Sequence, residues 1–87
     1  MKKVIKLING ETIFGECGEQ DNDNPILTIS KPYTAKDQKV IPYMLDEMMD
    51  KLREVQIYKM NILWTAPLDE FPQVNKVYIE ATTGILT

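Results

Sequence analysis

The sequence predicts a mainly β fold: a small, strongly bent antiparallel sheet of five strands, curled into an open barrel and followed by a short C-terminal helix. Three observations carry this expectation. β-Branched and aromatic residues gather in short runs separated by turn residues. One run holds a glycine, Gly15, at its centre, where a curling sheet needs a bend or bulge. Near the end, apolar residues change to helical spacing between Asp69 and Gly84.

The first strand spans Lys2–Ile8 and stops at Asn9-Gly10, the strongest short hairpin signal. Glu11–Gly18 forms the second, with Ile13, Gly15 and Cys17 on one face and Thr12, Phe14 and Glu16 on the other. The run Asp21-Asn22-Asp23-Asn24-Pro25 is turn chemistry throughout. Ile26–Ser30 is a third strand, with an irregular continuation past Pro32 to Tyr33.

Ala35–Gln38 is polar, and Val40–Leu45 is a further extended segment that Pro42 confines to an edge. Met44, Leu45, Met48, Met49, Leu52 and Val55 fall at helical spacing. That spacing supports a short amphipathic helix over Leu45–Leu52, with a long loop as the alternative. Glu54–Lys59 and Ile62–Ala66 are two short strands joined by a bend at Met60-Asn61, and Pro67 ends the second. Asp69 then caps a helix that places Phe71, Val74, Tyr78 and Ala81 on one face and stops at Gly84. Val77-Tyr78-Ile79 also favours a strand.

A chain of 87 residues makes one domain, here 1–87, and its core is modest. Contacts between subunits are a common remedy at this size. Every apolar run falls short of the roughly 20 residues that cross a bilayer. The Met1-Lys2-Lys3 start lacks an apolar stretch long enough for a signal peptide. With one cysteine, Cys17, and no histidine, an internal disulfide is excluded, and a zinc site or a Ser–His or Cys–His pair has no basis. Cys17 reads as a buried structural thiol, and the expected compartment is the reducing cytoplasm. Thirteen carboxylates are present, but no phosphate-binding glycine loop or nucleophile elbow frames them. The expectation is a non-enzyme without cofactor or metal.

The formal net charge is −3, so the chain has no overall basic footprint for nucleic acid. Any RNA contact has to come from a local group of lysines.

Leu7-Ile8-Asn9-Gly10, then Gly15, then Asp21 resembles the first Sm motif as it occurs in bacterial Hfq, with the apolar Ile26-Leu27 arriving one residue late. Ile57-Tyr58-Lys59-Met60-Asn61-Ile62 is similar to the second Hfq motif, Met60 standing where that family has histidine. The run from Ala66-Pro67-Leu68-Asp69-Glu70-Phe71 to Ala81-Thr82-Thr83-Gly84 looks like small Sm-like proteins of marine phages, notably cyanophages. The two motifs cover about half of the chain. The region between the third and fourth strands is unlike Hfq, and the family's N-terminal helix has no counterpart.

What the resemblance implies is an Sm-like homo-oligomeric ring of five to seven subunits, the fourth strand of each pairing with the fifth strand of the next. The loops around Asp21 and Lys59 would face the pore and bind single-stranded RNA. Lys59 would supply a cation for phosphate, Asn24 or Asn61 a contact to a base edge, and Tyr58 a stacking face, although in that family this tyrosine mostly packs at the subunit boundary. The host cytoplasm is then the expected location. Departures stand beside this. Asn22, Asp23 and Asn24 occupy the turn where Hfq has an aromatic, and Asp21 with Asp23 adds negative charge.

Blander readings accompany each residue. Asp21–Asn24 satisfy their own backbone as turn residues, and no calcium-loop pattern surrounds them. Lys59 pairs with a carboxylate of a neighbouring subunit. Trp64 anchors a core or an interface. The methionines pack. Lys2, Lys3 and Lys6 solvate a strand. The alternative function is an acidic structural or protein-interaction ring that uses its methionine-rich segment or C-terminal helix and ignores nucleic acid and membrane alike.

Overall fold

The computed structural model describes residues 1–18, 23–43 and 53–84. Its strands are β1 (Lys2–Leu7), β2 (Thr12–Glu16), β3 (Ile26–Lys36), β4 (Lys39–Pro42), β5 (Glu54–Tyr58) and β6 (Ile62–Pro67), and its one α-helix is α1 (Pro72–Thr83). All pairings are antiparallel. The order is β4-β3-β2-β1-β6, with β5 also paired to β3. The fold is therefore mainly β, an open antiparallel sheet with a short C-terminal helix.

β3 runs to Lys36, well past the Ser30–Tyr33 region where the sequence pattern fades, and it holds two partners in succession. Ile26–Ser30 pairs with β5, and Tyr33–Lys36 pairs with β4. Between them the chain bends. Lys31 has a positive φ of 50°, and the register against β2 slips between Phe14 and Glu16, whose partners are Tyr33 and Ser30. The extra β3 residue makes a bulge, which deepens the local twist.

The sixth strand arises from a turn that the sequence pattern understated. Asp37 and Gln38 both adopt positive φ, 53° and 66°, which two-residue hairpin turns of the primed type require. The chain reverses there and Lys39 pairs with Lys36. Pro42 closes β4 at the end of the sheet, in the edge position expected for a residue without an N–H. The helix expected over Leu45–Leu52 lies outside the described residues.

Each face of the sheet contributes to a core. Ile5, Leu7, Ile13, Cys17, Leu27, Ile29 and Tyr43 form one core, with Val55, Ile57 and Ile62 packed against it. Val4, Phe14, Tyr33, Leu68 and Tyr78 form the other, joined by Val40, Val74 and Ala81. Strand alternation divides neighbours such as Val4 and Ile5, or Ile13 and Phe14, between the two. Gly15 lies where β2 and β3 approach too closely for a side chain: a Cβ there would collide with Cγ2 of Ile29.

The helix presents Val74, Tyr78 and Ala81 to the second core, as its spacing predicts. Its start differs from expectation. Asp69 lies in a 3-10 turn, Leu68–Glu70, and the residue preceding the helix is Phe71, which makes no side-chain cap. Pro72 takes the first helical position, where its fixed φ and missing N–H cost nothing, so the helix begins two residues later than an Asp69 cap requires. Phe71 is 41% exposed and does not join the buried face. Gly84 ends the helix in the left-handed conformation, φ 74°, its N–H donating to Glu80 O at 2.9 Å.

Candidate functional site

One end of the sheet gathers four of the five residues singled out as RNA contacts. Asn24 accepts a hydrogen bond on Oδ1 from the N–H of Ile26 at 2.9 Å, so its side chain shapes the turn into β3. Ile26 lies opposite Tyr58 in the β3–β5 ladder. The N–H of Lys59 then donates to Pro25 O at 2.8 Å, extending that ladder one step beyond the strand. Asn24-Pro25 is thereby fixed beside Lys59. Lys59–Asn61 forms a 3-10 turn, and Asn61 O accepts from the N–H of Ile8 at 2.8 Å, which ties the same end to the β1–β2 hairpin. Asp21 lies outside the described residues.

Tyr58 is 59% exposed, and Asn24 and Asn61 are exposed as well. The end of β5 thus offers an open aromatic ring, a cation on Lys59 and two carboxamides. Those are the group types that hold an unpaired base and its phosphate.

A cavity of about 400 Å³ opens beside them, between the β1–β2 hairpin and β5. Tyr58 and Asn61 line it; Lys59 and Asn24 do not. Its other polar wall is Glu11, held in place from two sides. Asn9 accepts from the Glu11 N–H at 2.9 Å and donates through Nδ2 to Glu11 Oε1 at 2.8 Å. Tyr43 donates its hydroxyl to the same Oε1 at 3.3 Å. Sequence reading missed Glu11 and Tyr43. The Asn9-Gly10-Glu11 run did announce the turn, but Tyr43 lies 32 positions away and only the fold brings it there.

The basic cluster at the start of the chain is partly structural. Lys6 Nζ donates to Gly10 O at 2.8 Å and to Thr12 Oγ1 at 3.4 Å, bracing the hairpin. Cys17 is buried, and burial pushes its thiol above the ordinary value, against the weaker pull of Lys3 and the amino terminus. A thiol so placed is poor at forming the reactive thiolate.

Trp64 is 44% exposed, so it is not a core residue. It lies opposite Lys6, whereas Ile62 lies opposite Leu7, which leaves Leu63 as the extra residue of a bulge in β6. Leu63, Trp64, Met60 and Ile8 all expose much of their apolar surface. Among the described residues β6 pairs only with β1, and β5 only with β3.

Among the described residues no group of three or more His, Cys, Asp and Glu side chains is placed to hold a metal ion, and no helix is long and apolar enough to cross a membrane. No protein-family model matches the chain, and no curated protein is significantly similar to it in sequence.

Proposed function

We propose that this chain is an Sm-like, non-enzymatic ring protein that binds single-stranded RNA at the end of the sheet formed by Asn24, Tyr58, Lys59 and Asn61. The observation that carries the reading is the junction of two distant segments, the Ile26–Tyr58 pairing continued by the Lys59 N–H to Pro25 O bond. It joins the loops that the two motif resemblances single out. Lys59 neutralises phosphate, Tyr58 stacks on a base, and the two asparagines meet its edge. Asp21 stays with the proposal on the motif resemblance alone.

The proposed assembly uses two of the described sheet's three single-partner strands, β5 and β6. β5 and β6 each have one partner in the described structure, and an edge invites another strand. A head-to-tail contact of β5 on β6 closes into a ring when the rotation allows, with five to seven subunits as the proposed range. Exposed Leu63 and Trp64 on β6 suit such a contact. Phage origin and action in the host cytoplasm belong to the same reading and rest on the resemblance.

A second reading is a ring that binds a protein and no nucleic acid. The net charge of −3 favours it, because each added subunit deepens the repulsion of RNA. Light scattering with and without a short uridine-rich RNA separates the two. A complex of five to seven subunits that gains RNA mass, and loses that gain in Lys59→Ala, supports the RNA ring. A ring that gains nothing at low salt leaves the protein-binding reading, and a monomer overturns both.

A further inference from the structure

We propose that the cavity beside Glu11 is a receptor for a guanidinium group. This goes beyond RNA binding and does not depend on it, since the described lining lacks the cation that phosphate needs. Among the described residues, none that line it is lysine or arginine.

The chemistry points to a planar cation. Among the described residues Glu11 is the one charged group in the lining, and its two side-chain donors there, Asn9 Nδ2 and Tyr43 Oη, reach the same oxygen, Oε1. The carboxylate is thus oriented in advance, and among the described residues no side chain donates to Oε2, which can accept from a ligand. A guanidinium carries five N–H donors in a flat fork and no acceptor, which matches a carboxylate better than a neutral amide does. Gln56 and Asn61 also line the cavity and add carboxamide oxygens. The open ring of Tyr58 gives the flat face of the cation a surface on which to stack.

The rest of the cavity suits a carbon stem. Leu7, Ile8 and Ile57 supply apolar wall. An arginine side chain buries its methylenes against such a wall while its head meets the charge. At about 400 Å³ the space takes the side chain of a partner or a small free guanidine equally well. An ammonium fits less well, because it is strongly hydrated and cannot stack flat.

The test is a titration of the full chain, followed by amide chemical shifts in NMR, with methylguanidinium, N-acetyl-arginine amide, N-acetyl-lysine amide and the capped peptide Gly-Arg-Gly. Saturable shifts at Glu11, Gln56 and Tyr58 are expected with the guanidinium probes, and affinity several-fold weaker for lysine. Glu11→Gln keeps an acceptor for Asn9 and Tyr43 but removes the charge, and should weaken binding at least about tenfold. The unliganded spectrum of that variant shows directly that it folds. If the arginine peptide binds about tenfold tighter than methylguanidinium, the source is a partner's side chain; if they bind alike, it is a small free guanidine. Absence of saturable shifts, an unweakened Glu11→Gln, or equal binding of lysine and arginine would each overturn the proposal.

Discussion

The phenolic oxygen of Tyr78 donates to the backbone carbonyl of Lys31 at 2.9 Å, joining the C-terminal helix to the bulge of β3 across 47 positions of sequence. Lys31 needs that partner because its positive φ turns the chain out of the regular ladder. The ring of Tyr78 also meets Tyr33 edge to face, centroids 5.7 Å apart and planes at 85°, a favoured aromatic geometry. One side chain therefore fixes the helix, the bend and the second core together.

Tyr78→Phe should retain the ring packing and lose only the hydrogen bond. The Lys31 carbonyl would be left short of a partner, so the expected loss is about 1–2 kcal/mol. Urea unfolding followed by tryptophan fluorescence would register it as a lower midpoint at unchanged slope. An unchanged midpoint would mean that the carbonyl finds another donor.

The same residue gives a pH dependence of definite sign. Burial pushes the Tyr78 phenol far above its ordinary 10.0, with Glu16, Tyr33 and Cys17 adding to the shift. Cys17 is also raised, from 9.0, chiefly by burial. In each case the unfolded chain gives up its proton first, so the stabilisation is complete below the unfolded value and is lost as pH climbs through the folded one. Stability should decline from pH 9.0 for Cys17 and more steeply above 10.0 for Tyr78. Cys17→Ala should flatten the first part and Tyr78→Phe the second, in urea midpoints measured at successive pH values. Parallel curves for Tyr78→Phe and the parent above pH 10.0 would contradict the assignment.

Gly15→Ala should be severe for its size. The added methyl would collide with Ile29 and come 3.0 Å from the backbone oxygen of Ser30, which has little room to move. Overpacking of this kind costs about 1–3 kcal/mol. Ile29→Ala alone should cost about 2–5 kcal/mol as a core truncation. The double variant should lose less than the sum, because the smaller side chain opens space for the methyl. Strict additivity in thermal or urea unfolding would show that the clash is relieved elsewhere.

How much of this was legible in the sequence depended on which residues had to speak for distant ones. Asn9-Gly10, Gly15, Pro42 and Gly84 each impose a local backbone geometry, and the turn, bulge, edge and helix end fall where they predict. β4 was harder to read as a partner of β3, because Asp37-Gln38 lacks the glycine that usually marks a primed turn. Asp69 misled for a related reason: Pro72 offers a helix start of its own, and the intervening residues close into a 3-10 turn. Asn24, Tyr58, Lys59 and Asn61 are candidates singled out from motif order, and strand register brings them to one end. Glu11 escaped notice because its meaning comes from Tyr43, a contact that exists only in the folded chain.

The assembly proposed through β6 should fail when the bulge of that strand is charged. Leu63 is the unpaired residue of that bulge and is 62% exposed, so it contributes little to the core of its own subunit. Leu63→Lys should therefore leave monomer stability within about 0.5 kcal/mol, as surface substitutions usually do. A lysine on a strand edge disfavours the approach of another strand, because its charge would be desolvated in the contact. If subunits join at this edge, the variant should shift the mass measured by light scattering from ring to monomer without changing its circular dichroism. A ring that survives Leu63→Lys at low concentration would place the subunit contact elsewhere and remove β6 from the proposed assembly.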